Sequence, residues 1–326
     1  MIHRCSGTFE KTSAAVGALS LMAFVLPALV VEPPAPDWLE MAAPGAGAAS
    51  ASENQPDTTT PASDNDQVFA FFVGNPIYYR STFNLQRPDG TDLTLKGLGW
   101  DGDALYFPID GGVRFMRWRG QTGYMLEHLH NKAIARLGRG AHGRKLRYPV
   151  VEEVAAAGTW KGEPAPKRIL LADLFDRLEF THGHNMLFAA GLLKLASPMA
   201  SVRPYLGLGG GVAFPHTEVW FKGEPRATQT YEYQYAGPAM QGVAGLELKV
   251  GKVSYFLEYK FSYAWIHGAL TGERSWQNWD VFGDLWRQVR RWSSSEKPKH
   301  GDFKTTLGAH QILLGIGYRR AVPPKQ

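Results

Sequence analysis

Glu127, His130, Glu179, His182, His184, His216, Glu218 and Glu232 fall toward one end of four segments that alternate in polarity. Imidazole and carboxylate are the groups that move protons near neutral pH and that hold divalent metals. A set of two histidines and one carboxylate can be drawn from His130, His182 and His216 with Glu179 or Glu218. A divalent metal ion is therefore the cofactor the sequence points to, with His130, His182 and His216 as its nitrogen ligands. Glu127, His130, Glu179, His182, His216, Glu218 and Glu232 together form the catalytic candidates. No pair has the fixed spacing of a helical metal motif, and simple solvated histidines stand as the alternative. No G-x-G-x-x-G lies between a strand and a helix, so no nucleotide cofactor is expected. The single cysteine, Cys5, sits at the extreme N-terminus, which excludes a disulfide framework or a catalytic thiol in the body.

The elements that must position these groups read as β-strands. The chain has 326 residues, 36 of them glycine and 12% aromatic, with 44% hydrophobic residues and a mean hydropathy of -0.24. That average excludes a bundle of apolar membrane helices, each about 20 residues long. It suits a membrane β-barrel, which hides its apolar half by alternation. In VSYFLEYKFSYAW, residues 253 to 265, Val253, Tyr255, Leu257, Tyr259, Phe261, Tyr263 and Trp265 share one face. Ser254, Glu258, Lys260 and Ser262 lie on the other, which predicts a lipid-facing exterior and a polar lumen.

With that strand as anchor, strands are predicted at 67 to 82, 106 to 118, 121 to 132, 179 to 196, 202 to 220, 231 to 250, 253 to 270 and 304 to 319. Short turns alternate with longer loops at 83 to 105, 133 to 178, 221 to 230 and 271 to 303, as in an outer-membrane barrel with its loops outside. The predicted fold is all-β, an eight-stranded antiparallel transmembrane β-barrel with long extracellular loops, too narrow for an open pore. Gln241, Glu247, Glu258 and Lys260 point inward by alternation and read as a salt-bridge network filling the lumen. Gly207, Gly209 and Gly211 share a face, which relieves crowding inside a narrow barrel.

Before the barrel, residues 1 to 31 read as a signal-peptide-like segment and 32 to 66 as a Pro, Ala and Ser rich disordered spacer. An uncleaved anchor is the rival reading of the first segment. The barrel spans 67 to 319, with 320 to 326 as a C-terminal extension, and the outer membrane is the expected location. Nine Lys and Arg oppose five Asp and Glu in residues 133 to 178. Arg144, Lys145, Arg147 and Arg177 there are placed to hold phosphate groups, arginine doing so bidentately. Nucleic acid is not an expected partner of an exported barrel, and a monomer is expected. In 271 to 303, Trp276, Trp279, Phe282, Trp286 and Val289 follow helical spacing beside Arg287, Arg290 and Arg291. Two readings stand: a helix at the membrane interface, or a lid over the barrel mouth.

Five stretches carry a resemblance: FDRLEFTHGHN (175 to 185), RPYLGLGGGVAFPHTEV (203 to 219), TYEYQYAGPAMQGVAGLE (230 to 247), FLEYKFSYAW (256 to 265) and LLGIGYR (313 to 319). They resemble the lipid A oxidase family, which is similar to small OmpA-like barrels of Gram-negative outer membranes. The resemblance implies an oxidoreductase that uses molecular oxygen to convert the proximal glucosamine of lipid A to 2-aminogluconate. Its partners would be the membrane and lipid A, or lipopolysaccharide. Oxygen is inert toward a sugar without a cofactor, which returns the argument to a metal. Two departures stand out: His182 replaces an Asp of the family, and 271 to 303 is a long insertion. The competing readings are a non-enzymatic structural or adhesion barrel and a small-ligand transporter, which needs an open lumen.

Overall fold

The computed structural model describes residues 65–276 and 280–322, all of them in one unit, Asp64–Gln326. The signal-peptide-like segment, nearly all of the spacer, Cys5, Trp279 and the last four residues lie outside the described residues. The structure is all-β: sixteen strands form one antiparallel sheet. In chain order they are β1 (Asp66–Tyr78), β2 (Ser81–Gln86), β3 (Asp92–Leu98), β4 (Trp100–Asp101), β5 (Gly111–Arg119) and β6 (Thr122–Ala135). Next come β7 (Glu153–Trp160), β8 (Glu163–Pro164), β9 (Arg168–Leu170), the single-turn helix α1 (Leu171–Leu174) and β10 (Phe175–Lys194). Then follow β11 (Val202–Ala213), β12 (His216–Phe221), β13 (Thr230–Tyr233), β14 (Gly237–Val250), β15 (Val253–Ala269), the helix α2 (Val281–Ser293) and β16 (Asp302–Ala321).

Eight of these strands pair in the order β1-β5-β6-β10-β11-β14-β15-β16, and β16 pairs back onto β1 from Asp66↔Ala321 to Tyr78↔Ala309. Burial alternates residue by residue along this ring. On β15, Ser254, Phe256, Glu258, Lys260, Ser262 and Ala264 are buried, while Tyr255, Leu257, Tyr259 and Trp265 are exposed. Leu206, Leu208, Leu246, Leu314 and Ile316 continue the exposed apolar face on other strands of the ring. Gly120 and Gly251 close two of the short turns with φ of +60° and +57°, a backbone region that side chains with a Cβ disfavour. A Cβ on Gly211 would lie 1.9 Å from the Leu187 carbonyl oxygen, so crowding against β10 accounts for glycine there.

Several boundaries differ from the sequence expectation. Asp66, placed in the spacer, begins β1, and Arg320 and Ala321, placed in the extension, end β16, because these residues pair with each other's strands. The strand expected from 106 begins only at Gly111, after turns at 104 to 108. The strand expected over 202 to 220 breaks at Phe214 and Pro215, since proline cannot donate to the ladder. The one over 231 to 250 breaks between Tyr233 and Gly237, where positive φ at Gly237 turns the chain. Finally, the expected loops 83 to 105, 133 to 178 and 221 to 230 are not plain loops. They contain β2 to β4, β7 to β9 and the start of β13.

β2 and β3 flank Arg87-Pro88-Asp89-Gly90, a turn with Gly90 at φ +84°. Phe83, Leu85, Leu93 and Leu95 alternate around it and are fully buried against Phe175, Phe221 and Phe303. This second apolar core caps the loop end of the ring. The ring's own interior is filled instead by Arg114, Lys260, Trp118, Tyr205, Phe256 and their partners, all buried.

Candidate metal centre

β10 runs past the ring at its loop end and there pairs with β12 instead of β11, setting Glu179 opposite Glu218. β12 pairs in turn with β13, setting Glu218 opposite Tyr231 and His216 opposite Tyr233. His216 and Glu218 are two residues apart on one strand and so share a face. On β10 the pairing with β6 shifts between Phe180 and His184, and Gly183 takes φ +125°. Such a bulge re-aims side chains, and here it brings both Thr181 and His182 onto Glu218.

The result is a tight cluster. His182 Nδ1 lies 2.6 Å and His216 Nδ1 3.1 Å from Glu218 Oε1. The Thr181 hydroxyl is 3.0 Å from the same oxygen, and the His182 backbone N–H donates to it at 3.3 Å. Arg177 donates to the other oxygen, Glu218 Oε2, at 2.6 Å and reaches Glu179 Oε1 at 3.3 Å. Tyr231 hydroxyl is 3.1 Å from His182 Nε2, and Tyr233 hydroxyl donates to the His182 carbonyl at 3.0 Å. His142 arrives from a loop, its ring 4.2 Å from that of His182, and His216 lies 4.8 Å from His182 on the other side. One ligand atom each from His142, His182 and Glu218 falls within 4.8 Å of the other two.

Electrostatics set the protonation states. Burial alone would raise the Glu218 carboxyl, but the His182 and His216 imidazoles on Oε1 more than offset this and hold it well below the usual range. Burial, followed by the charge on Glu218, pushes Glu179 well up. Burial lowers His142 to about 3, with His182 adding to the effect, and lowers His216 to about 4. One ionised carboxylate beside His142 and His216 imidazoles kept neutral by burial belongs to the donor set that a borderline divalent ion such as zinc, iron or cobalt takes.

Of the catalytic candidates, His182, His216, Glu218 and Glu179 meet here. The other three do not. Glu127 lies deeper, inside the ring, 3.0 Å from Arg114 and paired with Lys260, because the loop end of β6 begins further along than Glu127. His130, assigned as a ligand, places its Nδ1 3.0 Å from Asn185 Oδ1 and does not contact Glu218. Glu232 alternates with Tyr231 and Tyr233 and so faces the other side of β13, where Arg291 donates to it at 3.0 Å. His184 is buried, and neither ring nitrogen has a hydrogen-bond partner among the described residues.

His142 was not a candidate. It has a φ of +56°, which histidine tolerates better than most residues, and stands between Gly140 and Gly143, a local signal that the loop presents this side chain. The expected phosphate-binding residues separate. Arg177 is spent on the two glutamates and Arg144 on Asp103 at 2.5 Å, whereas Lys145 and Arg147 are exposed next to the His142 turn. In the expected lumen network all four residues are buried: Lys260 donates to Gln241 at 3.0 Å, Glu258 accepts from Arg114, and Glu247 accepts from Arg203.

No protein-family profile matches the chain, and no curated protein matches it. The resemblance to lipid A oxidases therefore has only the quoted stretches behind it. Among solved structures the chain is similar to Neisserial surface protein A (NspA), at 8% identity over 78% of this chain and 96% of that one, with a TM-score of 0.30. A likeness of that size carries no argument.

Proposed function

We propose that the chain is an outer-membrane β-barrel enzyme whose external end binds one divalent metal ion through His142, His182, His216 and Glu218. The observation that carries the reading is that His142, His182 and Glu218, from a loop, a bulge and a strand pair, each bring a ligand atom within 4.8 Å of the other two, with His216 on the same Glu218 oxygen as His182. The ring of eight strands with an apolar outer face and a charged, filled interior supports the membrane part. Its packed interior argues against a transporter. The substrate in this reading is the proximal glucosamine of lipid A with a free anomeric hydroxyl: its hemiacetal carbon gives up two electrons and two protons to molecular oxygen, which leaves as hydrogen peroxide, and water opens the resulting lactone to 2-aminogluconate.

A bound metal supplies the electronic route to oxygen that no side chain offers. The protein's own groups do the rest. Glu218 anchors His182 and His216, Arg177 balances the two glutamates, and Glu179, held protonated by burial, is a proton donor beside the site. Lys145 and Arg147 are exposed beside the His142 turn, where lipid phosphates can be met. The test has two arms: metal content of the purified protein by elemental analysis, and mass spectrometry of lipid A from membranes containing it. One equivalent of metal and an oxygen-dependent gain of one oxygen atom in lipid A are expected. A metal-free protein with unchanged lipid A overturns the reading. That result favours the non-enzymatic barrel, for which the complete ion pairing of the interior is the supporting observation.

A further inference from the structure

Helix α2 is amphipathic the wrong way round for water. Phe282, Leu285, Trp286, Val289 and Trp292 form one stripe at helical spacing. Phe282, Trp286 and Trp292 are 66%, 64% and 57% exposed, whereas Asp284 and Gln288 on the opposite side are buried. That polar side is bonded into the protein along the strand end Tyr233 to Tyr235. Tyr233 N–H donates to Asp284 Oδ2 at 2.8 Å, Tyr235 N–H to Gln288 Oε1 at 2.8 Å, and Gln288 Nε2 to the Tyr235 carbonyl at 2.9 Å. Arg291 donates to Glu232, and Arg287 to Glu273 at 3.0 Å, so two of the three arginines expected to meet anionic groups are spent inside. Arg290 remains exposed at the edge of the stripe.

The stripe also continues a surface already described. Trp292 meets half-exposed Tyr235 edge to face at 6.0 Å. From Tyr235 the chain enters β14, whose outward residues Met240, Leu246 and Leu248 belong to the apolar face of the ring. A helix that hides its polar side, shows tryptophans and joins an apolar band meets lipid there, with the indoles at headgroup depth and a cation beside anionic phosphates.

We propose that α2 docks in the outer leaflet at headgroup level and seats the candidate metal centre there; this rests on the reading of the ring as a membrane barrel. The connection to the centre is short. The Ser275 hydroxyl is bonded to Asp284 and lies 3.4 Å from His216 Nε2, and Tyr233, held by Asp284, holds the His182 carbonyl.

The test uses the full chain with Cys5→Ser, reconstituted in phosphatidylcholine vesicles containing phosphatidylglycerol. An environment-sensitive fluorophore is attached in turn to Trp286→Cys, to Leu257→Cys on the outward face of β15 and to Lys167→Cys in an exposed loop. All three positions are exposed, so none should disturb folding. The label at 286 is expected to emit to the blue and to be quenched by lipids brominated near the headgroup. The label at 257 should be quenched by lipids brominated in mid-chain, and the one at 167 by aqueous iodide alone. If 286 behaves like 167 while 257 stays in lipid, α2 lies in water: docking is overturned and the barrel reading survives. If 286 escapes both iodide and brominated lipid, a second copy covers the stripe and docking is again overturned. Iodide reaching 257 removes the barrel reading and the docking with it.

Discussion

Two buried charged clusters lie one beyond the other along the ring, and they are put together differently. Inside, Arg114 touches Glu127 at 3.0 Å and Glu258 at 2.6 Å, while Lys260 touches the same two carboxylates. Two cations and two anions therefore alternate, and Tyr205 and Gln241 take up further polar atoms. At the loop end, one carboxylate, Glu218, gathers two imidazoles on one oxygen and Arg177 on the other, with a third imidazole against the first. The inner cluster is complete as a set of pairs. The outer one converges several lone pairs on one point, which is the arrangement of a ligand site. Burial of polar groups is thus no guide to function; how their charges close is.

The largest expected effect is on the inner cluster. Arg114→Met leaves two carboxylates facing one lysine and should destabilise the protein by about 3–5 kcal/mol, read from urea unfolding in lipid vesicles. Replacing Arg114, Glu127, Glu258 and Lys260 together by apolar residues should cost much less, because no buried charge is stranded. If the fourfold variant is the worse one, these residues do more than fill space, and the contrast between the regions fails.

At the outer cluster, His182→Ala should leave the unfolding midpoint nearly unchanged and lower metal affinity by more than the about 10- to 100-fold that loss of a supporting partner costs. Isothermal titration with zinc measures it. A variant that unfolds readily yet keeps its metal would make this cluster structural, like the inner one. A smaller effect is expected from Lys145→Ala with Arg147→Ala. KM for lipid A should rise roughly two- to fivefold at constant kcat, as exposed ion pairs are weak, and a dephosphorylated lipid A should erase the difference.

The smallest concerns pH. Burial pushes Asp284 up to about 6 from 3.8, although Ser275, the Tyr233 N–H and Arg287 favour its ionised form and Glu232 opposes it. A carboxyl raised in the folded state binds its proton there more readily than in the unfolded chain. Its contribution to α2 docking is therefore fully present below the ordinary value and lost as pH rises through about 6. Hydrogen exchange should show α2 amides less protected above pH 6 than below it, by under about tenfold because the two Gln288 amide bonds to Tyr235 carry no titrating group. Asp284→Asn should flatten that dependence.

Legibility in the sequence followed the range of the interaction that decided each feature. Glu258 and Lys260 could be read as inward because alternation is a property of one strand, and so could the outward aromatics of β15. Their partner Arg114 could not, since it lies 144 residues from Glu258 and only the ring order brings β5 across from β15. His216 and Glu218 share a face by simple spacing, but the proline before them hid which face it was. His182 needed the bulge, and His142 needed the fold of a long loop. Glu127 and Glu232 were drawn to the site because strand position alone does not tell where a ring ends or which side of β13 looks inward. The hairpin at Arg87 to Gly90 was read as part of a loop, although its Asp-Gly turn and its alternating Phe and Leu carried the signal for it.

By itself, the sequence determined the eight long strands of the ring in outline, their inner and outer faces, the short turns and the helix near the C-terminal end, because each depends on residues a few positions apart. Tertiary structure alone decided which charges close on one another, where β10 leaves β6 for β12, and that His182 and His216 meet on Glu218 with His142 against His182. Those outcomes depend on register between strands far apart in the chain, and period-two alternation carries no information about register across such distances.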